Sequence, residues 1–235
     1  MKNYALLLLA ALALLSGCKD DTPVDPEPVL NGSDYYPIAP GDYAIYEVTE
    51  SLQLGSVITR DSFQIRERVD SVAYTDLSGE PYFRVVRSIR NNAQASWTDD
   101  SVMVIKKTAQ RVERQENNVR LIKLVFPMAE NRIWNANLMN AGEPKNSEYV
   151  QVAVPYTLQR ISGAENFPQT TLVQLTADSS TIHAKTLYER YAKNMGLIEK
   201  KLRDISYVTD SSVIGQYIIN TATIRTEKLL ERGNE

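Results

Sequence analysis

From about Tyr43 to Leu230 apolar and polar residues alternate with a period of two over short runs. In "FQIRERV", Phe63, Ile65 and Val69 fall on one side while Gln64, Arg66 and Arg68 fall on the other, the pattern of a half-buried strand. "PYFRVVRSI" groups Phe83, Val85 and Ile89 in the same way, and "NVRLIKLVF" and "EYVQVAVPY" are long, β-branched and bounded by turn residues. Between such runs lie "DLSGE", "RNNAQ", "QENN" and "NAGEPKN", clusters of Gly, Asn, Asp and Pro suited to hairpin turns. Strand following strand without intervening helices predicts a mainly β fold: a single antiparallel curved sheet or half-barrel meander with little helix. Because sheets twist and long ones bend to cover an apolar face, one side would be concave and lined by residues such as Phe63, Ile65, Phe83 and Val85. A short helix or loop would plug that concavity, or it would stay open for a ligand.

The segment "TIHAKTLYERYAKNMGLIEKKLRDISYV" fits the pattern less well. It is rich in Lys, Glu, Leu and Ala, and Leu187, Tyr188 and Tyr191 would share one side of a helix. Its periodicity is compatible both with a hairpin and with a helix at about 181–205, which would make the fold α+β.

The first eighteen residues, "MKNYALLLLAALALLSGC", follow a different logic. A positive end at Lys2, an apolar run from Ala5 to Leu15 and small residues after it compose an export signal. The run is too short to span a bilayer, which takes about 20 apolar residues. Leu15-Ser16-Gly17-Cys18 resembles a bacterial lipobox, where the cysteine is acylated and the signal removed in front of it. Residues 1–17 are then a lipoprotein signal peptide, and Cys18, the only cysteine, carries the lipid. Each buried methylene contributes about 0.8 kcal/mol and a single chain binds marginally, so a stable anchor takes two or three acyl chains, palmitate among them. Directly after it, Lys19-Asp20-Asp21 resembles the export tag of surface-displayed lipoproteins of the Bacteroidota. The expected place is therefore the outer membrane, at the cell surface rather than the periplasmic face.

Composition narrows the classes further. Prolines alternate with acids through residues 18–33, which read as a semi-rigid extended tether of roughly 3 Å per residue, leaving 34–235 as one β-rich domain. The formal net charge is −3 and the pI about 5.4, with no basic run, which argues against nucleic acid as a partner. A lone cysteine excludes an intramolecular disulfide, so packing must stabilise the domain.

Three further stretches carry a resemblance. "DYYPIAPGDYAIYEV", "FPMAENRIWNANLMN" and "YERYAKNMGLIEKKL" resemble, in that order, the signatures of a family of uncharacterised Bacteroidota lipoproteins, across nearly the whole mature chain. In that family the last signature corresponds to a β-hairpin turning at glycines. The resemblance implies strands at about 182–191 and 197–207 around a turn at Lys193 to Gly196, with Asn194 in place of the first glycine. Asn enters the left-handed region readily, so the turn tolerates it.

Candidate chemistry is sparse. Tyr43, Tyr46, Trp134 and Tyr191 are spaced as core or rim residues of a sheet. The functional alternative is an aromatic platform for sugar rings or another apolar ligand, built on Trp97 and Trp134. His183 is the only histidine, which excludes a histidine-rich metal site, and a strand surface position beside Lys185 suits it. Asp99 and Asp100 would be a carboxylate pair for glycoside hydrolysis. Adjacent strand residues point to opposite faces, however, so a turn is their expected home. "RVERQE", Arg111 to Glu116, alternates in sign and reads as a solvated hairpin. No phosphate-binding glycine loop follows a strand. These observations favour a non-catalytic binding or accessory lipoprotein without cofactor or metal, held to the membrane through Cys18. Its ligand would be a lipid, a glycan or an envelope protein. A structural component of an envelope complex is the alternative, and a hydrolase the second.

Overall fold

The computed structural model describes residues 30–235; Cys18, Lys19, Asp20 and Asp21 lie outside that range. Twelve strands follow one another: β1 Asp42–Leu54, β2 Val57–Thr75, β3 Pro81–Arg90, β4 Thr98–Lys107, β5 Arg111–Glu116, β6 Val119–Val125, β7 Ile133–Asn135, β8 Asn146–Arg160, β9 Gly163–Ser179, β10 His183–Ala192, β11 Gly196–Tyr207 and β12 Ile219–Asn234. All belong to one antiparallel sheet in the order β6-β5-β4-β3-β2-β1-β12-β11-β10-β9-β8-β7. Two six-stranded meanders, β1–β6 and β7–β12, are therefore joined where the first strand pairs with the last, from Asp42↔Asn234 to Leu54↔Thr221. Register shifts insert extra residues in β2, β8, β11 and β12 that bend the sheet and increase its twist, so that it curls nearly into a barrel.

The two edges meet along a seam made chiefly by side chains. The Ile122 N–H donates to Ala136 O at 2.9 Å, and the Trp134 indole donates to Ile122 O at 3.0 Å. The Asn140 side chain accepts from Arg120 N at 3.0 Å and donates to Arg120 O at 2.6 Å. At the far end of β6 the Tyr149 hydroxyl accepts from Val125 N at 3.0 Å and donates to Val125 O at 2.7 Å. Alternate residues of an edge strand present both backbone groups to the same side, and here Arg120, Ile122 and Val125 are each satisfied without a continuous strand pairing.

Inside, Val69, Phe83, Val85, Met103, Val112 and Leu124 form the core with Tyr149, Val173 and Tyr191. Phe83 and Val85 thus lie on the concave side as the period predicts, and buried Ile65 and partly exposed Phe63 share that side by their phase with Val69 on β2. A 3-10 turn at Ser33–Tyr35 plugs one end, with Tyr35 fully buried and Leu30, Tyr36 and Ile38 packed against the core. Two bonds hold the plug, from Met128 N to Leu30 O at 2.9 Å and from Asn194 N to Asp34 O at 2.8 Å. Leu30, within the stretch expected as tether, is packed against the core.

The Lys- and Leu-rich segment is a hairpin, not a helix at 181–205. β10 and β11 pair from His183↔Ser206 to Ala192↔Gly196, with Asn194 at φ 62° and Gly196 at φ 77° in the turn. Leu187, Glu189 and Tyr191 face the interior, while Tyr188 and Arg190 face outward, an alternation no helix would give. Asp99 and Asp100 lie in β4 rather than in a turn: a bulge opposite Arg87 and Ser88 brings Asp99 Oδ1 to the Ser88 hydroxyl at 2.8 Å, while Asp100 accepts from Ser101. They part to different partners, which removes the carboxylate-pair reading.

The β8–β9 hairpin is longer than its neighbours and bends back over the outer face of β10–β12. Its bend coincides with Ala153 at φ 55° and successive register breaks against β9. Leu158 and Phe167 at its tip pack against Ala192, Ile198 and Leu229, and Arg160 donates to Leu229 O at 2.8 Å.

Candidate binding site

Strand alternation places charged residues, as well as apolar ones, on the concave side. Glu67 lies between Ile65 and Val69 on β2, and Glu189 lies between Leu187 and Tyr191 on β10. Across the interior, Arg114 of β5 and Lys123 of β6 face them. Arg114 binds Glu67 with both terminal nitrogens, at 2.8 and 3.1 Å, and Arg87 adds a second cation at 2.8 Å. Glu116 accepts from Arg87 at 2.8 Å and lies 3.4 Å from Arg114. On the opposite wall Lys123 pairs with Glu189 at 2.6 Å, and the Tyr191 hydroxyl donates to the same carboxylate at 2.5 Å. Lys200 and Arg225 extend the lattice to Glu227 at 3.8 and 3.0 Å.

Solvation and pairing oppose each other here. Burial raises the Glu67 carboxyl, but the charges and hydrogen bonds of Arg114 and Arg87 outweigh it and bring it down to about 2. Burial also raises Glu189, and Lys123, Lys200 and the Tyr191 hydroxyl bring it below the usual carboxylate range. Lys123 itself is lowered, because burial disfavours its ammonium more than Glu189 favours it. The Tyr191 and Tyr46 hydroxyls are pushed far above their ordinary value, burial being the main cause.

Between these walls the plugged end encloses a cavity of about 60 Å³ bounded by Tyr36, Tyr46, Glu67, Arg114 and Tyr191. Beyond it the space widens to about 330 Å³, lined by Arg114, Glu116, Asn117, Lys123, Leu187, Glu189 and Lys200. Arg114, Lys123 and Glu189 border both spaces. The interior is therefore apolar and filled at one end and ionic at the other, rather than an open apolar pocket. Fixed guanidinium and ammonium donors beside carboxylate acceptors suit a ligand bearing hydroxyls or charges of both signs. Glu67 and Glu189 are held ionised, the opposite of the raised carboxyl that a general acid requires.

The sequence-derived candidates fall elsewhere. Trp134 is buried, tilted against Tyr149 at 4.7 Å between ring centres, with its N–H committed to the seam. It presents no face to solvent, so the Trp97–Trp134 platform does not exist. Trp97 is partly exposed on the outer face, with the Arg90 and Arg66 guanidinium groups 4.2 and 5.1 Å from its ring centre. His183 holds the expected strand position beside Lys185, and both contact Asp204, His183 through Nε2 at 3.0 Å. "RVERQE" is a hairpin strand but not a solvated one: Val112 and Glu113 are buried, and Arg114 reaches the interior because it sits in phase with Val112. Glu67 and Glu189 escape a reading that looks only for motifs. Their signal is a charge at an inward position of an alternating strand, in "IRERV" and "LYERY". Among the described residues no group of three or more His, Cys, Asp or Glu side chains is placed to hold a metal ion.

No protein-family model matches the chain, and no curated protein matches it significantly. Among solved structures, the chain is similar to a protein described as a "putative lipoprotein" from Parabacteroides distasonis, at 10% identity and a TM-score of 0.42, covering 85% of this chain and 98% of that one. It is similar also to a "putative exported protein with YmcC-like fold" from Bacteroides fragilis, at 13% identity and a TM-score of 0.39, again covering 85% and 98%.

Proposed function

We propose that this chain is an outer-membrane lipoprotein, anchored through acyl chains on Cys18 and displayed at the cell surface, that works as a non-catalytic binding module for a polar ligand, a saccharide or a short peptide. The observation that supports it is the ionic interior space of about 330 Å³, the lower end of the size of small-molecule sites. Its lining disfavours a lipid, because an acyl chain would desolvate Lys123, Glu189 and Lys200 without hydrogen bonds in return. The paired, ionised state of Glu67 and Glu189 supports binding over hydrolysis. A thermal-shift screen of the detergent-purified full-length protein against oligosaccharides and peptides tests the reading. A ligand that raises the melting temperature should lose its effect in Leu187→Trp, which fills the space. If nothing in the screen shifts the transition, or if the shift survives that substitution, the interior is not the site.

A second reading, a structural component of an envelope complex, has one observation in its favour. Leu54, Val57, Tyr217 and Ile218, around the β1–β2 and β11–β12 tips, are 70%, 65%, 57% and 45% exposed, a set of apolar residues at the end away from the plug. Chemical cross-linking in whole cells of a variant with these four changed to Ser distinguishes the readings: loss of a cross-linked species supports assembly.

A further inference from the structure

On the outer face, beneath the folded-back β8–β9 hairpin, lies a second cavity of about 230 Å³ that shares no lining residue with the interior. Tyr156, Leu172, Tyr188, Arg190, Glu199 and Lys201 line it. Arg190 is 8% exposed. Its two hydrogen-bond acceptors are neutral, Thr170 Oγ1 and Gln151 Oε1, each at 3.1 Å, and its Nε has no partner. The nearest acid across the strand pair, Glu199, is committed elsewhere: it accepts from the Tyr156 hydroxyl at 2.8 Å and pairs with Lys201 at 3.1 Å. A buried guanidinium is ordinarily matched by a carboxylate, because removing a cation from water is costly unless an anion replaces the lost solvation. Here the Tyr156 ring, 4.0 Å from the Arg190 Cζ, supplies only a partial substitute. Counting Arg190 and Lys201 against Glu199, the cavity carries one positive charge in excess. Its remaining walls, Leu172 and the two tyrosine rings, are apolar.

We propose that this outer cavity binds a small organic carboxylate, its carboxylate anchored by Arg190 and Lys201 and its ring or short apolar body laid against Leu172, Tyr156 and Tyr188. An anion completes the charge balance that Arg190 lacks, and a bidentate carboxylate matches the guanidinium geometry. The volume limits the ligand to about one ring. Tyr156, on the folded-back hairpin, forms one wall of the cavity, and the packing of Leu158 and Phe167 from the same hairpin against Ala192, Ile198 and Leu229 holds that wall in place before the ligand arrives.

The inference is independent of the interior site, and so is its test. Benzoate and benzamide differ in charge while sharing shape, and inorganic phosphate has charge without a ring. Saturation-transfer NMR and thermal shift of the detergent-purified full-length protein should show benzoate binding at least tenfold tighter than benzamide or phosphate. Lys201→Gln, at a half-exposed position, should weaken benzoate severalfold, and Tyr188→Ala should weaken it while leaving the protein folded. Arg190→Gln should abolish binding; if that variant fails to fold, the Lys201 and Tyr188 variants decide. Leu187→Trp should leave benzoate binding unchanged. Equal binding of benzoate and benzamide, phosphate binding as tightly as benzoate, no binding by any of the three, or indifference to both Lys201→Gln and Tyr188→Ala would overturn the proposal.

Discussion

Glu67 shows how a single inward charge shapes this protein. Its carboxyl is brought from an ordinary 4.5 to about 2 because Arg114 and Arg87 outweigh its burial. A group whose folded value is depressed contributes stability that is fully present above the unfolded value and is lost as pH falls through the folded one. The window is therefore pH 4.5 down to about 2, and the difference corresponds to about 3 kcal/mol. Urea unfolding across that range should show stability falling steeply in the native protein and less steeply in Glu67→Gln; equal slopes would refute the assignment. At neutral pH the same substitution should cost about 3–5 kcal/mol, because it leaves two buried guanidinium groups without their anion.

At the scale of elements, the seam and the β10–β11 turn make separate predictions. Tyr149→Phe removes one hydroxyl that serves both backbone groups of Val125, and an unsatisfied buried group costs about 1–3 kcal/mol. Hydrogen exchange should accelerate at Val125 and its β6 neighbours before it does so in β2 or β12, which have strand partners on both sides. Uniform acceleration would mean that the seam is not a separate opening unit. In the turn, Asn194 adopts φ 62°. Asn194→Ala should destabilise by about 1 kcal/mol and Asn194→Gly should be tolerated, since only Gly and Asn enter that region cheaply. Equal melting temperatures for the two would show that the turn is held by tertiary contacts such as Asn194 N to Asp34 O rather than by local conformation.

For the whole molecule, the two meanders share one twelve-stranded sheet with the plug packed against its core. Changing Lys19, Asp20 and Asp21 to Ala should leave acylation of Cys18 intact but reduce digestion by protease added to intact cells. Unchanged digestion would remove the surface-display reading without touching the anchor. Replacing Cys18 with Ala should abolish incorporation of labelled fatty acid and release folded protein with a far-ultraviolet spectrum dominated by strand. Continued labelling would remove the lipoprotein reading.

Much of the architecture is local in origin, and for that reason the sequence alone determined it. A period of two is written in each strand, turn residues punctuate the strands, and Asn117-Asn118 and Asn194 sit at positive φ where turn chemistry places them. The direction in which Glu67, Glu189 and Arg114 point was also legible, since each is in phase with apolar neighbours. Only the tertiary structure decided what they meet. Pairing of β1 with β12 and the meeting of β6 with Trp134, Asn140 and Tyr149 depend on contacts between residues distant in the chain, which no short-range pattern encodes. The same holds for the outer cavity. Arg190 alternates outward like any surface residue of "YERYA", and it is buried only because the β8–β9 hairpin bends over it. Trp134 takes the core position its spacing suggests, and the platform alternative fails for the same reason: aromatic character is a property of the residue, but which side of a closing sheet it faces is a property of the closure.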